Sequence, residues 1–431
     1  MSSKKNKTEK LDLKNIREKL SQRSGPQYWR SLEEIAETDG FRDFLKHEFP
    51  KNADIWPDGL ERRHFLQLMG ASLALVGFTG CTQQPEERIV PFVKAPEELI
   101  PGKPLFYATA MPFYGYAQGL LAESHDGRPT KVEGNPRHPA SQGATNLFAQ
   151  ASVLDLYDPD RIDVIMQGGR VRTWERFVAE LTSEIERQRS TGGKGFCLLT
   201  ETVTSPTLAA QISQLLERLP EARWVQYEPI SLDSLRAGAL QAFGEPLNTV
   251  YRFDKADVVL SLDADFMSSG PAAVRYARDF SARRKVESNG TQPNRFYMIE
   301  SAPTVTATLA DNRLAVRPSQ VEKLAIQLAV ELGIETGRPS GLTPDESAFV
   351  AAAAKDLKSA TGKSLVVAGE YLSASIHALV HLINERLENH GQTVVQTEPV
   401  EFKPENQLDA LRALVEDMNS GQVETLLIFG G

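Results

Sequence analysis

The stretch Ala256-Asp257-Val258-Val259-Leu260-Ser261-Leu262 decides the fold. It is a short apolar run, without the in-and-out alternation of a half-exposed strand. A strand of that kind is buried on both faces, which is the condition of a parallel sheet. Its neighbours agree. A helical pattern over residues 231–243 precedes it, and another over 272–285 leads to a second apolar strand, Arg295-Phe296-Tyr297-Met298-Ile299-Glu300. Upstream, helices over 176–189 and 206–219 alternate with strands over 196–200 and 224–227. Downstream, helices over 321–332 and 344–358 lead to a strand over 364–369. A helix over 373–389, a strand over 393–396 and a helix over 407–419 follow, and the series closes on Thr425-Leu426-Leu427-Ile428-Phe429-Gly430-Gly431. This alternation predicts an α/β fold with doubly wound, mostly parallel sheets. The last strand runs into a glycine-bearing turn with no crossover after it, so the chain reads as truncated at its C-terminus.

The residues before this series are of another kind. Strand-like runs over 105–110 and 117–124 are followed by the turn Asp126-Gly127-Arg128-Pro129 and by Thr130-Lys131-Val132-Glu133. Asp-Gly between apolar runs signals a hairpin. The segment over 134–143 carries two prolines that forbid helix. The expected organisation is an N-terminal extension with short amphipathic helices (1–57), an export signal (58–81), a proline- and charge-rich linker (82–104), a small β-rich region (105–172), a first α/β region (173–320) and a second, incomplete one (321–431). In the extension, Ser31 and Glu34 have capping-box spacing.

The 431 residues are 41% hydrophobic and 24% charged, ordinary for water-soluble globular protein. A net charge of -9 argues against binding to a nucleic-acid backbone, although the first 20 residues are basic. Cys81 and Cys197 are the only cysteines, so this stretch of chain cannot by itself hold a four-cysteine iron–sulfur cluster or a cysteine-rich zinc site. Cys197 lies in an apolar run and reads as a core residue.

Arg62 and Arg63, followed by Phe65, Leu66 and an uncharged Gly/Ala/Ser-rich run, have the layout of a twin-arginine export signal. The apolar run over 65–80 is shorter than the roughly 20 residues that span a bilayer. It ends on Phe78-Thr79-Gly80-Cys81, similar to a lipobox, in which Cys81 would be acylated and hold the mature chain to a membrane surface. The alternative reading of Cys81 is an idle thiol. The expected location is the periplasmic face of a bacterial inner membrane.

No catalytic, cofactor-binding or metal-ligating residue is assigned. His377 and His381 stand four apart on one helix face, a spacing that metal ligands use. No further ligand cluster accompanies them, so a satisfied or surface pair is the preferred reading. Asp263-Ala264-Asp265 follows the deciding strand and would face a cation or ribose at the carboxyl edge of the sheet, or be an ordinary acidic strand end. Neither G-x-S-x-G nor G-x-x-x-x-G-K occurs.

The string Lys131-Val132-Glu133-Gly134-Asn135-Pro136-Arg137-His138-Pro139, with Leu156-Tyr157-Asp158-Pro159-Asp160-Arg161 and then Trp174, resembles the molybdopterin oxidoreductase superfamily. Adding Tyr28-Trp29-Arg30-Ser31-Leu32-Glu33-Glu34, the stretch from Arg62 to Cys81, and Gly102-Lys103-Pro104-Leu105-Phe106-Tyr107, the chain resembles the B subunits of bacterial alternative complex III over nearly its whole length. Cofactor-bearing relatives place a four-cysteine cluster just before the Asp-Gly turn, and here residues 109–124 contain no cysteine. The resemblance therefore implies a scaffold in which molybdopterin is not expected, with iron–sulfur clusters in a C-terminal part outside these residues. It implies an exported subunit of a respiratory, quinol-oxidising electron-transfer complex delivering to a periplasmic acceptor. The implied partners are a multihaem cytochrome, quinol-binding membrane subunits and the membrane surface. The rival expectation is an active molybdopterin-dependent oxidoreductase of a small substrate.

Overall fold

The computed structural model of the protein describes Ile100, residues 102–285 and residues 292–430. The twin-arginine residues Arg62, Arg63, Phe65 and Leu66, the lipidation candidate Cys81, the amphipathic N-terminal helices and the linker up to residue 99 lie outside the described residues.

Three antiparallel strands come first: β1 (Leu105–Phe113), β2 (Tyr116–His125) and β3 (Arg128–Gly134). Asp126-Gly127 turns between β2 and β3, as its composition predicts. The proline-bearing segment after β3 is loop. A short helix, α1 (Leu147–Asp155), then begins where the Asn146 side chain accepts from the Ala149 N–H at 2.8 Å. A small hairpin of β4 (Ile165–Gln167) and β5 (Arg170–Arg172) leads to α2 (Trp174–Arg189). None of α1, β4 or β5 is anticipated above, because three-residue strands and a helix with no clear apolar face leave no periodic signal.

The α/β series follows as β6 (Phe196–Thr200), α3 (Pro206–Arg218), β7 (Arg223–Gln226), α4 (Asp233–Phe243), β8 (Asn248–Tyr251), β9 (Val258–Leu262), α5 (Ala273–Arg283), β10 (Arg295–Glu300) and β11 (Asn312–Ala315). It continues through α6 (Pro318–Glu331), α7 (Pro344–Ser359), β12 (Ser364–Ala368), α8 (Ala374–Arg386), β13 (Val394–Thr397), α9 (Gln407–Asn419) and β14 (Thr425–Phe429). Helix starts follow local chemistry. Pro318 occupies the first turn of α6, where its missing N–H costs nothing. Thr343 and Glu346 close a reciprocal capping box on α7. The edge strands β8 and β11, absent from the sequence reading, are four-residue elements.

The fold is α/β, with two wholly parallel sheets. The larger has the order β11-β10-β9-β12 and the smaller β14-β6-β7. Strands from the last quarter of the chain thus complete both sheets: β12 pairs with β9, and β14 with β6. Every residue of β9 is buried, as the opening stretch requires. Val258, Leu260 and Leu262 pack into a cluster with Leu324, Leu328, Leu357 and Ile383 from α6, α7 and α8. Val259, on the other face, joins Phe253, Phe266, Phe280 and Phe296. One strand therefore stabilises two half-cores at about 1.5–3 kcal/mol per buried large side chain. The smaller sheet is similarly clothed, with Leu198 and Trp224 on one face and Cys197, Val225 and Leu414 on the other. Cys197 is a buried free thiol.

Candidate functional site

The carboxyl ends of the parallel strands, where open α/β sheets place ligands, lie beside acidic residues. Glu201 follows β6, Glu228 follows β7, Asp263 and Asp265 follow β9, Glu300 ends β10 and Glu370 follows β12. Burial pushes the carboxyls of Glu228 and Glu370 above the ordinary range. Neighbouring carboxylates, Glu201 for the first and Asp265 for the second, push the same way.

The tip of the β1–β2 hairpin, Tyr114-Gly115-Tyr116, reaches into this edge. Thr204 donates its hydroxyl to the Gly115 carbonyl. Gly115 has a φ of +74°, and a Cβ there would stand 2.8 Å from Thr202 Cβ, so only glycine permits the approach. Tyr116 donates to Glu401 Oε1 at 3.3 Å and accepts from Asn248 Nδ2 at 3.2 Å. Burial, then the Glu401 carboxylate, holds its phenol well above the ordinary range. Tyr114 bonds Ser269 and the Gly270 backbone, and its phenol is likewise raised, first by burial and then by Glu370.

Behind the tip, polar groups bond one another, while Arg236 Nε and Glu401 Oε2 have no hydrogen-bond partner among the described residues. Arg236 bridges Asp233 Oδ1 at 3.2 Å and Glu401 Oε1 at 3.1 Å. The two oxygens of Asp233 accept the Gln407 and Leu408 N–H groups, each at 3.1 Å, which satisfies two first-turn amides of α9 beside its N-cap Asn406. The Gln407 side chain accepts from Glu228 N at 2.9 Å and donates to Thr202 Oγ1 at 2.8 Å. Beside this network a cleft of 730 Å³ opens between the N-terminal ends of α4, α8 and α9, lined by Ile230, Asp233, Glu370, Tyr371, Leu408 and Arg412 among others.

Asp263 and Asp265, singled out by sequence, serve the backbone. Asp263 sits at a φ of 56° and accepts from Ser301 N at 3.0 Å, while Asp265 accepts from Thr306 N at 3.2 Å. His377 and His381 are buried, at 6% and 7% exposure, between α8 and α4. Neither is at the surface: His377 makes backbone hydrogen bonds at Gly369 and Glu370, while His377 Nε2 and His381 Nδ1 have no hydrogen-bond partner among the described residues. Close packing is the reason: Gly238 of α4 presses against His377, leaving no room for even a Cβ, and Phe243 stands edge-on to His381. Desolvation lowers both histidines to about 4. Among the described residues no three His, Cys, Asp or Glu side chains come together as metal ligands, and no helix is long and apolar enough to cross a membrane. Tyr116, Asn248, Arg236 and Glu401 escaped sequence reasoning. Their one local signal is Tyr-Gly-Tyr at the tip of a hairpin.

Of the nearby guanidiniums, that of Arg236 bonds two carboxylates and that of Arg412, on the cleft lining, pairs with Asp409 at 3.2 Å, while the strand ends themselves carry several acidic residues.

No protein-family profile matches the chain. It is 28% identical over 298 residues to the menaquinone reductase, molybdopterin-binding-like subunit of Nitratidesulfovibrio vulgaris strain Hildenborough. The match covers 64% of this chain and 40% of that protein, so the chain spans less than half the length of its curated relative. Among solved structures, acetylene hydratase from Pelobacter acetylenicus aligns with a TM-score of 0.46 at 10% identity, over 66% of this chain and 44% of that one. The curated relative's name supports the resemblance to molybdopterin-oxidoreductase-like proteins. It does not single out a particular complex.

Proposed function

We propose that this chain is part of an exported, membrane-attached subunit of a quinol-oxidising electron-transfer complex of the alternative complex III type, and that residues 105–430 act in it as a scaffold without molybdopterin. The observation that carries this reading is the carboxyl-edge network. Tyr114 and Tyr116 of the protein's own hairpin reach the carboxyl ends of the strands, where α/β folds take ligands, and carboxylates flank them. A relative named as a subunit of a menaquinone reductase supports the link to quinone chemistry. The electron-carrying iron–sulfur clusters lie, on this reading, in polypeptide outside these residues. The partners are a multihaem cytochrome and quinol-binding membrane subunits, and electrons pass to a periplasmic acceptor. Export follows the twin-arginine residues Arg62 and Arg63, and acylated Cys81 holds the subunit at the periplasmic face of the inner membrane.

Metal analysis of the natural gene product, purified from membranes, tests the scaffold reading. Iron without molybdenum is expected, whereas molybdenum near one per chain would sink it in favour of an active molybdopterin-dependent oxidoreductase. Intact-mass spectrometry tests the anchor. The expected mature chain begins at a lipidated Cys81, and a chain retaining residues 1–80 with an unmodified thiol defeats that part.

A further inference from the structure

The larger sheet, ordered β11-β10-β9-β12, reverses direction beside β9. The chain passes from β9 to β10 and β11 on one side, and β12 then pairs with β9 on the other. Open α/β sheets take their ligands in the crevice at such a reversal, beyond the carboxyl ends of the strands. Gly369 and Glu370 leave β12 at this point, and the Gly369 N–H donates to the Leu262 carbonyl at 2.8 Å, which holds the turn against the end of β9. Glu370 and Tyr371 form part of the wall of the 730 Å³ cleft.

The charges of that wall do not balance. Its carboxylates are Asp233, Glu370 and Asp409, and among the described lining residues Arg412 is the only cation. Asp409 pairs with Arg412 at 3.2 Å, and Asp233 pairs with Arg236 behind the wall at 3.2 Å. That leaves Glu370 without a partner cation. Ser269 donates its hydroxyl to Glu370 Oε1 at 3.2 Å, but no Lys, Arg or His side chain pairs with this carboxylate among the described residues. Burial and then the carboxylate of Asp265 work against its charge, an imbalance that an incoming cation relieves. Helix N-termini around a cleft ordinarily favour an anion. Here they are already answered. Asp233 takes two first-turn amides of α9 and itself stands in the first turn of α4, and Glu322 takes the Ser373 N–H ahead of α8 at 3.1 Å. The wall beside Glu370 is apolar and open, with Tyr371 58% exposed and Ile230 53%. An exposed aromatic ring next to an unpaired carboxylate suits a cationic head.

We propose that the cleft binds a small organic cation, an ammonium or guanidinium group on an apolar body, with its head at the Glu370 carboxylate and its body against Tyr371, Ile230 and Leu408. The volume of 730 Å³ falls within the range of about 300–1,000 Å³ typical of small-molecule sites. A bare metal ion is a poor occupant, because no three His, Cys, Asp or Glu side chains converge as ligands among the described residues.

Ligand-observed NMR on the natural gene product, solubilised from membranes, tests this without reference to its iron or molybdenum content. The probes share one shape: phenethylammonium, neutral 2-phenylethanol and anionic 3-phenylpropionate. Phenethylammonium should bind saturably and roughly tenfold more tightly than either of the others. Glu370→Gln keeps an acceptor for Ser269 and should abolish that preference while leaving the binding of 2-phenylethanol unchanged. No saturable binding, equal binding of all the probes, tighter binding of the anion, or a preference that survives in the glutamine variant overturns the proposal. If that variant fails to fold, Tyr371→Ala at the exposed rim takes its place. A loss of about threefold in phenethylammonium affinity is then expected, and an unchanged affinity refutes the inference.

Discussion

Tyr116 and Glu401, 285 positions apart in the chain, share a hydrogen bond that pins the hairpin tip to the carboxyl edge of the sheets. The same Glu401 oxygen receives Arg236, so one carboxylate joins the N-terminal meander to the α/β body. Tyr116→Phe removes the phenol from both Glu401 and Asn248. Leaving those buried groups short of a partner should cost roughly 1–3 kcal/mol, read as a lower denaturant midpoint at an unchanged slope. No loss of stability would show that the tip is not anchored there.

Asp233 is the other pivot of this network. Asp233→Ala removes the acceptors of two first-turn amides of α9, whose N-cap Asn406 remains, and leaves Arg236 with one carboxylate, and about 3 kcal/mol of destabilisation is expected. Asp233→Asn keeps one acceptor oxygen of the two that receive the α9 amides and should lose less. Thermal unfolding of the two variants side by side separates capping from charge pairing.

In the core, Leu260→Ala opens a cavity where Leu260 packs among α6, α7 and α8. The expected loss is about 2–5 kcal/mol. A loss below 1 kcal/mol, by denaturant titration, would mean that β9 is not the central strand described above.

The buried histidines predict an acid-side weakness. Both fall from an ordinary 6.5 to about 4 in the fold, so the folded state holds them neutral. Between about pH 6.5 and pH 4 the unfolded chain binds protons that the folded chain refuses. Stability should therefore fall as pH drops through that window, by on the order of 3 kcal/mol per histidine once it is crossed. The other charged and titratable groups at this seam include His390 and Glu385 beside His381, Glu370 beside His377, and Asp233 and Arg236 on α4. NMR titration of the two imidazoles checks the shift directly, and a His377→Phe/His381→Phe double variant should flatten the slope if its core still packs.

The parallel sheets were legible because Val258–Leu262 and Ser364–Ala368 are continuous apolar runs bounded by helical periods, a local signal. Their sheet order was not, because nothing in Thr425–Phe429 says that it will pair with Phe196–Thr200. The hairpin Asp126-Gly127 announced itself through turn chemistry, whereas β4, β5, β8 and β11 are too short to show a period. At the candidate site, sequence reading found the acidic strand ends Asp263 and Asp265. It missed the Tyr116–Asn248–Arg236–Glu401 set, which exists only once distant segments meet. The histidine pair was visible as a spacing, but its burial depends on Gly238 of another helix.

The pairing of β6 with β14 also sets a timetable. A chain leaving the ribosome presents Leu198 and Cys197 long before Leu426 and Leu427 are made, and the larger sheet waits in the same way for β12. The helices α3 and α4 can coil early, but the two parallel sheets stay incomplete until β12 and β14 appear. Contacts so distant in sequence are slow to form and leave apolar edges open meanwhile. The nascent protein should therefore rely on holding chaperones, and its yield should respond to them more than to its final stability.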